Sequence, residues 1–113
     1  MRIGDLAAAT GASPRSLRYY EDQGLLGSSR SGGGQRHYPA TAVERVTLIR
    51  SLLAAGLSSG TIYEVLPCIT QEAMRTEALA ARLRDELARV DTQIDGLHRT
   101  REILAGLVDA YEI

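Results

Sequence analysis

Apolar residues recur along this chain at two different spacings. Up to Thr70 they fall in short clusters punctuated by Gly, Ser and Pro; beyond it they recur every three or four residues with no further proline. The first region predicts several short helices. Asp5 suits the positive end of a helix over residues 4–10, and Gly11 can take the left-handed conformation that stops it. Ser13 is an N-cap and Pro14 a first helical residue, which predicts a second helix from Pro14 to about Asp22, stopping near Gly24, with Leu17 in the core. Two short helices joined by a three-residue, glycine-containing turn form the helix-turn-helix pattern.

From Leu26 to Tyr38 the character changes to Gly27-Ser28-Ser29-Arg30-Ser31-Gly32-Gly33-Gly34-Gln35-Arg36-His37-Tyr38. Such composition fits a linker or a glycine-tipped hairpin. Its position directly after the second helix, the Arg near each end and the closing Tyr38-Pro39 favour a two-stranded wing presenting Arg30 and Arg36. Thr41-Ala42-Val43-Glu44 reads as a capping box opening a third helix over residues 42–55, with Val43, Val46, Ile49, Leu52 and Leu53 on one face and Gly56 at its end. Ser58 caps a short fourth helix that faces Ile62, Val65 and Leu66 inward and is expected to stop at Pro67, leaving Cys68 in a connector.

In the second region Leu83, Leu87, Val90, Ile94, Leu97, Leu104 and Val108 alternate steps of three and four, interrupted once by Arg101. This is a coiled-coil seam, which a lone helix would expose to water; the simplest partner is the same helix of a second copy. Arg101 can extend its long stem to the edge of the seam, or pair with an acid of the partner chain and fix the register. The expected fold is therefore all-α with a small β-hairpin wing: a winged helix-turn-helix over residues 1–68, then a dimerisation helix with a short tail over 69–113.

Charge sharpens this division. The net charge is −1, yet residues 1–70 carry seven Arg against five acids and residues 71–113 six Arg against nine, or +2 and −3. The basic excess lies with the helix-turn-helix. All the cationic side chains are Arg, whose planar fork matches phosphate and guanine bidentately. No stretch approaches the roughly 20 apolar residues of a membrane span, the first residues lack a signal peptide's apolar segment, and a cytoplasmic protein is expected. A single cysteine, Cys68, excludes an intrachain disulfide.

Taken in order, Ile3-Gly4-Asp5-Leu6, Gly11-Ala12-Ser13, Arg18-Tyr19-Tyr20-Glu21, Gly24-Leu25-Leu26, Arg36-His37-Tyr38 and Ala55-Gly56-Leu57-Ser58 closely resemble the MerR family of bacterial transcription regulators. The likeness runs continuously through residues 1–66, and the helix after Thr70 is similar to that family's dimerisation helix. It implies a homodimer joined by an antiparallel coiled coil, binding a palindromic promoter operator and bending and undertwisting it so that RNA polymerase can engage both promoter elements. On this resemblance Ser13, Arg15, Arg18, Tyr19 and Tyr20 belong to the recognition helix, with Arg36 and Tyr38 on the wing, where the hairpin reading adds Arg30 as a DNA contact. Where the family's wing commonly reads Gly-Tyr-Arg, this chain has Gly34-Gln35-Arg36. The Arg is kept and the aromatic is not.

Ser13 and the amides behind it can hold a phosphate, and Arg15 and Arg18 share one helical face. Of the two tyrosines, one is expected to pack and the other to donate its hydroxyl to a phosphate. No cofactor and no metal site are expected, since no cysteine pair follows the long helix. Cys68 reads as a small apolar filler, with a thiol switch, or a metal shared with His37 or His98, as the alternatives. An enzyme is not expected, because Cys68, His37 and His98 fall on separate elements with no base-and-orienter spacing. The alternative to a regulator is a DNA-architectural or excisionase-like accessory protein, against which the long dimerisation helix argues.

Overall fold

Two capped turns set the geometry of the first half. The computed structural model describes residues 1–30, 33–71 and 75–112, and the chain divides into two units, Met1–Arg75 and Thr76–Ile113. In the first, α1 (Ile3–Thr10) begins where the Asp5 carboxylate accepts the Arg2 amide at 3.0 Å, and ends at Gly11 in the left-handed region, φ 75°. Only Ala12 separates that stop from Ser13, whose hydroxyl accepts the Ser16 amide at 3.1 Å and opens α2 (Pro14–Asp22). Gly24, also at φ 75°, turns the chain out of α2. The helix-turn-helix follows from glycine's freedom at positive φ and from a side-chain oxygen at the N-cap.

The expected hairpin forms: β1 (Ser29–Arg30) pairs antiparallel with β2 (Arg36–His37), Ser29 opposite His37 and Arg30 opposite Arg36. Ser31 and Gly32 of its tip lie outside the described residues. Beyond β2, the Met1 amino nitrogen donates to the Tyr38 carbonyl at 2.8 Å while the Tyr38 amide donates to the Met1 carbonyl at 2.7 Å. Two mutual bonds of this kind make an antiparallel pair, so the wing is tied to the start of α1.

α3 (Ala42–Ala54) places Val46 and Ile49 in the core, with Val43, Leu48, Leu52 and Leu53 packed against it. The expected capping box is absent. Thr41 sits in right-handed helical conformation, φ −64° and ψ −16°, and its side chain caps nothing. The chain enters α3 through a turn whose carbonyls serve instead: the Ala42 amide donates to Pro39 at 3.0 Å and the Val43 amide to Ala40 at 3.3 Å. With backbone acceptors in place, the hydroxyl is not needed.

α4 (Ser59–Thr70) opens as expected, Ser58 accepting the Thr61 amide at 3.1 Å, but Pro67 does not end it. The helix runs through Pro67 for another three residues, and the Gln71 amide donates to the Pro67 carbonyl at 2.8 Å. An internal proline costs about 3 kcal/mol. Ile62, Val65 and Leu66, which lead up to it, are essentially inaccessible, and burying each contributes about 1.5–3 kcal/mol, which keeps even Leu66, the residue before the proline, helical. Cys68 accordingly belongs to α4 and not to a connector; its side chain lies outside the described residues.

The core of this unit gathers Leu6, Leu17, Tyr20, Leu25, Tyr38, Val46, Ile49, Ile62 and Leu66. Two arginines of α3 fasten the turns around it. Arg45 Nε donates to the Leu25 carbonyl at 2.7 Å, and Arg50 Nη1 to that of Thr10.

The second unit is one helix, α5 (Glu77–Tyr111), of 35 residues and therefore about 52 Å long. Thr76 caps it by accepting the Leu79 amide at 3.3 Å. Ion pairs Arg84–Glu77 at 2.8 Å and Arg89–Glu86 at 3.0 Å decorate its polar side. No helix among the described residues is long and apolar enough to cross a membrane.

Candidate nucleic-acid interface

α2 has two faces. Leu17 and Tyr20 point into the core at 0 and 6% exposure, while Ser13, Arg15, Arg18 and Tyr19 lie on the surface. Arg15 and Arg18, three residues apart, share that outer face as the helical period requires. The rings of Tyr19 and Tyr20 meet edge to face, 6.3 Å between centroids and 62° between planes. Tyr19 is the one that remains outside, its hydroxyl 3.5 Å from Ser59 Oγ, which itself donates to Gln23 at 3.2 Å. The Ser13 hydroxyl donates to Ser16 Oγ at 3.0 Å besides capping the helix.

On the wing the expected contacts separate. Arg30 is exposed, whereas Arg36 is half-buried and its Nε lies 3.4 Å from Glu21 Oε2. Tyr38 is a core residue at 2% exposure, its hydroxyl donating to Glu21 Oε1. Tyr20 and Tyr38 are thus enclosed by the fold, which narrows any direct contact with a ligand to the exposed members of the set. Burial, and then the hydrogen bond to Glu21, push the Tyr38 phenol up to about 12.

Glu21 is the residue that sequence reasoning did not single out. It stands in the last turn of α2 and holds both Tyr38 and Arg36, so one carboxylate couples the second helix to the wing. Arg2 was missed as well. It lines, with Ile3, Arg18, Gln35 and Arg36, a cleft of about 310 Å³ between the start of α1, α2 and the wing. The only advance signal for Arg2 was its charge. The pairing of Met1 with Tyr38 that brings it there is a backbone event with no motif.

Along α5 no residue is buried. Leu83, Leu87, Ile94, Leu97, Leu104 and Val108 are exposed by 41 to 69%, with Val90 less so. Ile103, Leu107 and Tyr111, outside the expected seam or beyond its last residue, are exposed as well. Arg101 is exposed, in the same heptad position as Ile94 and Val108. A soluble monomer rarely keeps so long an apolar stripe in water. Among the described residues no three of His, Cys, Asp and Glu cluster to hold a metal.

Two family models match the chain: MerR HTH family regulatory protein over residues 1–68, and MerR, DNA binding over residues 43–107. The nodulation protein NolA of Bradyrhizobium elkanii is 38% identical over 99% of this chain, and the chain spans about half (48%) of that relative's length. Among solved structures, a MerR family transcriptional regulator from Listeria monocytogenes superposes with a TM-score of 0.83 at 24% identity, covering 98% of this chain and 85% of that one. HiNmlR, a MerR family regulator lacking the sensor domain and bound to promoter DNA, gives 0.79 at 23% identity, covering 97% and 88%. At these identities both structures establish the shared winged helix-turn-helix fold.

Proposed function

The chain belongs to the MerR family, and from that premise we propose that it is a transcription regulator that binds a palindromic promoter operator as a homodimer. The observation that carries this reading is the pairing of an arginine-bearing outer face on α2 and the wing with an apolar stripe on α5, none of whose described residues is buried. A two-fold dimer carries two identical reading heads, so its site repeats as an inverted pair of half-sites. Its residues divide into units 1–68 for DNA binding and 69–113 for dimerisation.

Within each head, Arg15 and Arg18 reach the groove or its rim, Ser13 and the first amides of α2 meet a phosphate, and Tyr19 offers its hydroxyl. Arg30 and Arg36 engage the flanking backbone, while Tyr20 and Tyr38 act from within by holding the helix and wing in place. Leu83, Leu87, Val90, Ile94, Leu97, Leu104 and Val108 form the dimer seam, two α5 helices running antiparallel. Bound between promoter elements, such a dimer distorts the intervening DNA so that RNA polymerase engages both; this is binding paid in DNA deformation. The protein works in the cytoplasm and catalyses no reaction.

Selection of sites from a random duplex pool, followed by footprinting, tests the proposal. An enriched inverted repeat protected on both halves supports it, and Arg18→Ala should weaken binding to that site by about 5- to 150-fold, one good arginine contact being worth about 1–3 kcal/mol. Recovery of sites without two-fold symmetry, or unchanged affinity in Arg18→Ala, would refute the assigned DNA face.

A further inference from the structure

The cleft between the start of α1, α2 and the wing is lined by three arginines from three separate elements, Arg2, Arg18 and Arg36. Among the described residues their one carboxylate partner is Glu21, whose side chain is 13% exposed. That carboxylate is committed twice, to the Tyr38 hydroxyl through Oε1 and to Arg36 Nε through Oε2. Arg2 and Arg18 have no carboxylate partner among the described residues. Three like charges around one open cleft repel one another, and Glu21 offsets one of them. An anion seated in the cleft would relieve the rest, and guanidinium forks are shaped for the oxygens of phosphate.

We propose that this cleft seats one phosphate of the DNA backbone and that Arg2, which lies outside the helix-turn-helix, is one of its ligands. The inference rests on the DNA-binding reading above and extends it. The backbone pairing of Met1 with Tyr38, at 2.8 and 2.7 Å, holds Arg2 beside the wing. The Asp5 carboxylate accepts the Arg2 amide and leaves its side chain exposed. Through Nε, Glu21 restrains Arg36, whose terminal nitrogens make no hydrogen bond among the described residues. The Arg2 backbone and the Arg36 side chain are therefore placed by something other than the ligand, which lowers the ordering cost on binding.

A phosphate contact adds affinity without regard to sequence and contributes about 0.9 to the slope of log affinity against log salt. The test compares wild type, Arg2→Ala and Arg2→Lys on a short fluorescein-labelled duplex of mixed sequence, by anisotropy across a series of salt concentrations. Loss of one such contact should lower the slope of Arg2→Ala by about 0.9 and make its response to a fourfold rise in salt about 3.5-fold smaller than that of wild type. Arg2→Lys should keep most of the slope, because a point charge still meets the phosphate. Thermal midpoints should agree among the three proteins, since the Arg2 side chain is exposed.

Wild-type binding with the same slope in Arg2→Ala would overturn the phosphate seat alone. A fall in affinity at unchanged slope would do so too, as it would mark a structural role. If inorganic phosphate without DNA raised the midpoint of wild type but not of Arg2→Ala, while the DNA slopes agreed, the cleft would belong to a free anion instead. A wild type that binds no duplex at any salt would remove the DNA-binding reading, and the seat would fall with it.

Discussion

Replacing Tyr38 by Phe isolates the coupling between the recognition helix and the wing. The ring is in the core and its hydroxyl donates to Glu21, so Tyr38→Phe keeps the packing and removes the donor. A hydrogen bond to a charged group contributes about 1.5–3 kcal/mol. Glu21 keeps Arg36 at 3.4 Å and is 13% exposed, so water partly replaces the lost donor. The expected loss is therefore about 1–2 kcal/mol at neutral pH, read from urea unfolding followed by circular dichroism.

The pH dependence makes the prediction sharper. The folded phenol is pushed up from 10.0 to about 12, first by burial and then by its bond to Glu21. Because the fold favours the neutral phenol, this stability is fully present below pH 10, where the unfolded chain also keeps the proton. Above pH 10 the unfolded state ionises first and the stability drains away, until it is gone above about 12. A shift of that size corresponds to roughly 2–3 kcal/mol. Every other titration is common to both proteins, so their difference reports Tyr38: the stability gap should close, and can reverse, between pH 10 and 12. Parallel curves for wild type and Tyr38→Phe across that window would refute the buried bond to Glu21.

Two further perturbations probe the turn and the seam. Gly24→Ala places a Cβ at φ 75° and 3.0 Å from the Tyr63 ring; left-handed backbone alone costs an L-residue about 1–2 kcal/mol, whereas Gly27→Ala, with open space around it, should be near neutral in the same urea titration. Equal midpoints for the two variants would contradict this account of the turn. Leu97→Glu puts a charge at a seam position that is 69% exposed within the protomer; sedimentation should show monomers whose first unit unfolds as in wild type, and a dimer surviving the change would refute the seam.

What could be read in the sequence was what local chemistry decides. Ser13, Pro14 and Gly11 mark their helix ends with side-chain oxygen, ring and absent Cβ, and the observed α2 bounds match the expected Pro14 start and Asp22 end. The Val46, Ile49, Ile62 and Leu66 faces follow from the helical period alone. The expectations that failed were single-residue rules that the neighbouring backbone hydrogen bonds overrode. Thr41 resembles an N-cap, yet the Pro39 turn had already supplied acceptors; Pro67 resembles a stop, yet the helix runs through it to Thr70, and the Gln71 amide donates to the Pro67 carbonyl. Arg2 and Glu21 could not be placed because their surroundings are assembled from residues far apart in sequence, 17 positions in the case of Glu21 and Tyr38.

A carboxylate beside an anion-binding surface would ordinarily weaken it, and Glu21 shows why one can remain there. Were it free in water, its charge would repel the same phosphates that Arg18 and Arg36 attract. Partly enclosed and bonded to Tyr38 and Arg36, it instead converts a flexible wing arginine into one whose direction is fixed relative to α2. Its electrostatic penalty is largest when Arg36 is absent, because the carboxylate would then be half-satisfied in a site of low dielectric. The wing arginine thus belongs to the fold and to the interface at once, and its replacement removes both a cation from the surface and the charge that offsets Glu21. Among the arginines of this face, Arg36 is therefore the position where loss of binding and loss of stability are inseparable, whereas exposed Arg2 and Arg18, without carboxylate partners among the described residues, allow binding to be tested on its own.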